Sequence, residues 1–251
     1  MRDRAAALRD AGMKATARQT LLARYGLPPE EIETRSLSLV EQLAGNSLPL
    51  EASSRRVAIM MLYATGDPGL ASQIRIHPNA VSHGLAALRA GCTIVTDVRM
   101  VAAAVERERL AGVGSEVVCA IDEPETEQLA RDRRLTRAAA AIEVSAGESL
   151  GDAGRRGQAR GPAPTGGRLD GAVVVIGNAP TALLALLDAV DQDRARPALI
   201  IGTPVGLVAA SEAKEELIER PIPYVTVLGT RGGSAIAAAA LNALIRMATG
   251  G

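Results

Sequence analysis

The sequence has no phenylalanine and no tryptophan, and its 251 residues include only three tyrosines, two cysteines and two histidines. So few aromatic rings leave no stacking platform for bases. With 28 basic residues set against 28 acidic ones there is also no global positive field, which argues against a nucleic-acid partner. No apolar run approaches the roughly 20 residues that a membrane span needs. The opening stretch MRDRAAALRDAGMK lacks the apolar core of a secretory signal, so a cytoplasmic protein with no membrane partner is expected. Cys92 and Cys119 sit in apolar, strand-like surroundings and are expected to be reduced thiols. His77 and His83 are the only imidazoles, so no metal site is expected.

What the chain does have is aliphatic residues. Apolar types make up 47% of it, mostly Ala, Val, Leu and Ile, and its length supports a substantial core of helix packed on sheet. The first part reads as charged helix. DRAAALRDAGMKATARQTLLARYG breaks at GLPPEE, a second helix runs through EEIETRSLSLVEQLAG, and an apolar helix covers Glu51 to about Thr65 before the turn GDPG. HPNAVSHGLAALRAG is a further helix, closed by Gly91. From there short apolar strands alternate with helices: CTIVTD with VRMVAAAVERERL, AVVVIGNAP with TALLALLDAVD, PALIIGTPVG with LVAASEAKEELIER, and YVTVLGTRGGS with AIAAAALNALIRMA. This alternation predicts an α/β fold, a mostly parallel doubly wound sheet with helices on both faces, preceded by a helical N-terminal segment. One domain is expected over 1–251. Residues 1–30 read as a variable helical N-terminus, and the Gly-, Pro- and Arg-rich stretch 147–171 as a flexible inserted loop.

Ligands of open parallel sheets bind beyond the carboxyl ends of the strands, so the strand-to-helix turns define the candidate site. They are TDVRM (Thr96, Asp97, Arg99), GNAPT (Gly177, Asn178, Thr181), GTPVG (Gly202, Thr203, Gly206) and GTRGGS (Gly229, Arg231, Gly232, Gly233, Ser234). Small residues bring backbone close to a ligand, and converging helix N-termini favour one with several negative groups. Asn178 and Ser234 can also be read simply as helix N-caps. Neither the phosphate-loop pair Lys-Ser/Thr, nor the dinucleotide fingerprint, nor a Gly-x-Ser-x-Gly elbow is present. Arg137 opens an Ala-rich helix, where a cation opposes the macrodipole unless it serves a ligand or partner. Lys214 in ASEAKEE reads either as a solvated helix lysine or as a further member of the site.

VVVIGNAPTALLALL, IIGTPVGLVAASEAKEEL and RGGSAIAAAALNAL resemble the precorrin-8X methylmutase family of the cobalamin pathway, which includes the cobalt-precorrin-8 enzymes. TDVRMV, EVVCAI, LTRAAAAIE and RSLSLVEQL extend the resemblance over about residues 30 to 250. It implies a homodimeric, cofactor-free α/β isomerase that moves a methyl group from C11 to C12 of an anionic tetrapyrrole: precorrin-8X, cobalt-precorrin-8 or a hydrogenobyrinate-like ligand. It further implies a sigmatropic shift assisted by protonation of a ring nitrogen, with Ser36 and Arg137 on the substrate and Thr96 and Asp97 nearby. Asn178, Thr181, Lys214, Gly232, Gly233 and Ser234 complete the expected binding set. The family's proton donor is a histidine, and Tyr63 in LYATG stands in its place as the expected catalytic residue. Leu37, Leu207 and Ala138 also depart from the family pattern, all close to the expected site. A free phenol is a weaker acid than an imidazolium by about 3.5 pKa units, so two readings follow: a methylmutase using Tyr63, or a paralogue that binds a corrinoid without turnover.

Overall fold

The computed structural model describes residues 20–147 and 167–250. The first 19 residues, and most of the loop read at 147–171, lie outside them. The chain divides into two compact units, 1–38 and 39–251.

In the described part of the first unit, α1 (Leu21–Tyr25) starts at Thr20, whose hydroxyl accepts from the Ala23 N–H at 3.1 Å. Pro29, Glu30 and Glu31 then open α2 (Pro29–Ala44), with proline at a position that needs no N–H donor and the acidic pair at the positive helix end.

The second unit is built on a six-stranded sheet. Its strands are β1 (Ile74–Ile76), β2 (Thr93–Thr96), β3 (Glu116–Val118), β4 (Val173–Ile176), β5 (Leu199–Gly202) and β6 (Tyr224–Val227). Their spatial order is β1-β6-β5-β4-β2-β3, and every pairing is parallel except β1 with β6. The chain leaves β2 for β3 on one side and returns to β4 on the other. The topological switch point therefore falls between β2 and β4.

The period-2 alternation of the strands assigns each side chain to one of two cores. Ile94, Val173, Val175, Leu199, Ile201 and Val225 face one side, covered by α3 (Ala52–Thr65), α4 (Ala80–Arg89), α5 (Arg99–Ala103), α6 (Arg107–Leu110) and α11 (Ser234–Ala248). Val95, Val174, Ile176 and Ile200 face the other, under α8 (Arg137–Ser145), α9 (Pro180–Asp191) and α10 (Ala210–Ile218). The short helix α7 (Pro124–Arg133) packs on α8 through Leu129, Ala130 and Ala140. This is the doubly wound arrangement predicted from the alternation.

Two details differ from the sequence reading. VRMVAAAVERERL is not one helix but α5 and α6, because α11 captures the backbone between them. Asn242 accepts from the Glu106 N–H at 3.0 Å and donates to the Ala104 carbonyl at 2.9 Å, and Arg246 holds the Glu106 carboxylate at 2.6 Å. The antiparallel edge strand β1 has no counterpart in the apolar pattern, since only three residues, IRI, form it.

α3 is fixed at both ends. The Glu51 carboxylate accepts from the Ser53 and Ser54 N–H groups at 2.9 and 2.6 Å, and these bonds hold its pKa down to about 2. Gly66 closes the helix in the left-handed region at φ 63°, which glycine adopts without a Cβ penalty. No described helix is long and apolar enough to cross a membrane.

Candidate active site

The turn after β4 is organised from a neighbouring strand. Asp97, directly after β2 and fully buried, accepts from the Gly177 N–H through Oδ1 at 3.1 Å. Its Oδ2 accepts from the Asn178 and Ala179 N–H groups, both at 2.8 Å. Burial pushes the Asp97 carboxyl above the usual range, while the three backbone donors pull it back. The N-cap of α9 is Ala179, without a side-chain hydrogen bond, and that of α11 is Gly233. Neither Asn178 nor Ser234 therefore acts as the capping side chain: the anion at the mouth of α9 is supplied by the protein, across the switch point. Gly177 lies so close to α11 that a Cβ there would meet the Ser234 Cα at 2.8 Å and the Val101 Cγ2 at 2.7 Å.

The β5 and β6 turns are laced together. Thr203 N–H donates to the Ile176 carbonyl at 2.8 Å, Gly233 N–H to the Thr203 carbonyl at 2.8 Å, and Gly206 N–H to the Thr230 carbonyl at 3.1 Å. A Cβ on Gly232 would collide with the Thr203 and Pro204 carbonyl oxygens, and Gly233 adopts φ 126°, so this part of GTRGGS accommodates glycine only. The buried Thr203 and Ser234 hydroxyls beside these turns have no hydrogen-bond partner among the described residues.

Lys214 is not the solvated lysine of the simpler sequence reading. It is fully buried, and its Nζ donates to the Pro204 carbonyl at 3.0 Å and the Arg231 carbonyl at 2.8 Å, joining the two turns. Burial lowers its pKa from 10.5 to about 8. A lysine whose folded pKa lies below its unfolded value binds fewer protons when folded, so stability rises with pH between those two values. The stability of wild type relative to Lys214→Met is expected to grow by about 3 kcal/mol between pH 8 and 10.5, at ~1.4 kcal/mol per unit. Urea unfolding of both proteins across this range measures it, and a pH-independent difference would refute it.

Charged and polar groups line the rim. Arg137, first residue of α8, is partly exposed and donates to the Asp122 carboxylate at 2.8 Å and the Ile121 carbonyl at 3.1 Å. Arg99 pairs with the other oxygen of the same carboxylate. Asp122 thus offsets the cost of a cation at the start of α8 and holds two guanidinium groups side by side. Thr136 caps α8 through the Ala139 N–H at 3.2 Å and shares a 2.7 Å hydrogen bond with Thr181 of α9. Thr96, buried at the end of β2, reaches the Val118 carbonyl at 3.3 Å. Leu207 and Val208, 90% and 83% exposed, form an apolar tip on the loop after β5.

Tyr63 lies in the last turn of α3, 37% exposed. Four residues later, Asp67 forms an ion pair with Arg231 of the β6 turn. Ser36 belongs to the first unit, where its hydroxyl donates to the Ile32 carbonyl at 2.6 Å. Cys92 and Cys119 are free thiols, and burial raises the pKa of Cys92. Among the described residues no group of three or more His, Cys, Asp or Glu side chains could hold a metal ion.

The structure thus gathers Thr96, Asp97, Asn178, Gly232, Gly233, Ser234 and Lys214 around the turns at the carboxyl edge of the sheet, with Thr181 and Arg137 at the starts of adjoining helices. Sequence reasoning missed Asp67 and Asp122, because their partners lie far along the chain. Only the proximity of Asp67 to Tyr63 was visible.

A doubly wound sheet with small-residue turns, buried polar anchors and a guanidinium pair at its carboxyl edge defines an α/β protein of the open-sheet kind, whose ligands bind beyond that edge. The chain belongs to the precorrin-8X methylmutase family, which matches residues 31–247. It is 41% identical over 201 residues to the precorrin-8X methylmutase of Pseudomonas aeruginosa, covering 79% of this chain and 86% of that one. It is 34% identical over 225 residues to the cobalt-precorrin-8 methylmutase of Leptospira interrogans, covering 87% and 93%. A solved precorrin-8X methylmutase structure from Thermus thermophilus superposes with a TM-score of 0.74 at 39% identity, over 88% of this chain and 97% of that one.

Proposed function

We propose that this protein is a methylmutase of cobalamin biosynthesis, an isomerase that moves a methyl group from C11 to C12 of precorrin-8X or its cobalt-containing counterpart. The observation that carries this reading is the family match over residues 31–247, a span that contains the turns TDVRM, GNAPT, GTPVG and GTRGGS. Methylmutase relatives align over most of their own length, which favours turnover over binding without turnover.

The chemistry is intramolecular. The C11–methyl bond breaks as the C12–methyl bond forms, and no electrons or groups are exchanged with another molecule, so the reaction needs neither an acceptor nor a resident cofactor. What remains for the protein is to orient the macrocycle and supply a proton to a ring nitrogen. We assign the proton to Tyr63, whose partly exposed phenol has no hydrogen-bond partner among the described residues. Arg137 receives a substrate carboxylate, and the glycine-lined β6 turn admits the ring edge to the backbone. Asn178 and Thr181 complete the polar contacts. Asp97 and Lys214 act from beneath by fixing the turns. The same reading makes the enzyme a cytoplasmic homodimer.

Incubation of the purified protein with precorrin-8X, followed by absorption spectroscopy, tests the function. The spectrum of the rearranged macrocycle is expected to appear without any added cofactor. Tight binding of substrate with no spectral conversion at any pH would overturn this reading in favour of a binder.

A further inference from the structure

The end of α3 is joined to the β6 turn by a continuous series of polar contacts. Thr65 Oγ donates to the Leu62 carbonyl at 2.8 Å, and the Gly66 N–H to the Leu62 and Tyr63 carbonyls at 3.0 and 3.4 Å. The Asp67 N–H donates to Thr65 Oγ at 3.1 Å, and Asp67 Oδ1 accepts from the Gly69 N–H at 2.9 Å. These bonds tie the backbone at Asp67 to the last turn of α3, the turn that carries Tyr63.

The other carboxylate oxygen of Asp67 is held by the Arg231 guanidinium. With its amide turned so that both ends are satisfied, Gln73 accepts from Arg231 Nη2 at 2.9 Å and donates to the Leu228 carbonyl at 3.2 Å. The Arg231 backbone is itself anchored, since its carbonyl accepts from the buried Lys214 Nζ. One residue thus connects the deepest cation of the fold to the helix end that bears Tyr63.

The ion pair is nearly half exposed at both ends, 45% for Arg231 and 44% for Asp67, and pairs of this kind add little to stability. Its effect is geometric. A misplacement of about 1 Å in a reacting group can cost on the order of a hundredfold in rate.

We propose that Arg231 is a positioning residue for the methyl migration: its guanidinium, gripping Asp67, sets where the Tyr63 hydroxyl stands relative to the β6 turn, and Lys214 fixes Arg231 in turn. This rests on the assignment of Tyr63 as proton donor. Arg231 touches no reacting atom in this arrangement, and its contribution passes through Asp67.

Steady-state kinetics on the full chain with precorrin-8X, for Arg231→Met, Asp67→Asn, the double variant and Arg231→Lys, test it. Each of the first two is expected to lower kcat about tenfold or more, with KM changed by less than about threefold and the melting temperature nearly unchanged. The double variant is expected to be no slower than either single one, because both break the same contact, and Arg231→Lys should recover part of kcat. An unchanged kcat, a raised KM with kcat intact, or multiplied losses in the double variant would each overturn the proposal.

Tyr63→Phe separates the two readings. If that variant retains wild-type turnover, the donor assignment is the one that fails. If it loses turnover while Arg231→Met and Asp67→Asn keep theirs, the positioning role fails and the donor stands.

Discussion

Tyr63→Phe is expected to lower turnover of precorrin-8X by about 10²–10⁴-fold, the usual contribution of a positioned general acid, with little change in thermal stability. Tyr63 is 37% exposed at the end of its helix, and its hydroxyl has no partner among the described residues, so deleting that oxygen leaves no group unsatisfied. Tyr63→His makes the complementary case. A free imidazolium is more acidic than a free phenol by about 3.5 pKa units; if roughly half of that difference reaches the barrier, and about a quarter of a free imidazole is protonated at pH 7, turnover at neutral pH rises on the order of tenfold. Single-turnover spectra of the three proteins give both numbers. Unimpaired conversion by Tyr63→Phe would remove Tyr63 from the chemistry.

Asp97→Ala is expected to be the most destabilising single substitution at the site. It strands three N–H donors, those of Gly177, Asn178 and Ala179, in a region where Asp97 itself has no exposed surface. At ~1–3 kcal/mol for each stranded donor the sum is about 3–9 kcal/mol, and because water reaches the exposed Asn178 and half-buried Ala179, roughly 3–6 kcal/mol of it remains. For a domain of this size that lowers the melting temperature by roughly 10 °C or more. Asp97→Asn should fall between the two proteins, since its amide keeps one acceptor oxygen and turns an NH₂ towards donors. Thermal melts monitored by circular dichroism provide the comparison. A melting temperature for Asp97→Ala close to that of wild type would show that the β4 turn holds its shape without the carboxylate.

The four central strands were legible because a parallel strand buried on both faces is rich in apolar and β-branched residues, as VVVI and LIIG are throughout and TIVT and YVTV are in larger part. The turns were legible because sharp bends need glycine and proline. The edge strand β1 was not, since three residues carry no period and its partner is far along the chain. The division of α5 from α6 was also hidden, because the side chains that cause it, Asn242 and Arg246, belong to α11.

Lys214 is an intermediate case. Its neighbours Glu212, Glu215 and Glu216 suggest a solvated helix. Yet Ala210, Ala213, Lys214 and Leu217 fall at helical spacing on the buried face, and that stripe was readable. The contacts Asp67–Arg231 and Asp122–Arg99 have no local signal, because an ion pair is a property of two distant positions at once. At the candidate site the residue types could therefore be read from the sequence more easily than their partners.

The pairing of β1 with β6 also bears on how the chain acquires its shape. Ile74 finds its partner only at Val227, and α3 packs on α11, so the part carrying Tyr63 docks onto elements far along the chain. Contacts this distant in sequence must close a long loop before they return any free energy, which slows folding. Any partly folded form in which α11 has not yet docked leaves the face of α3 that it covers open, so the Tyr63 helix is where such a form exposes aliphatic surface.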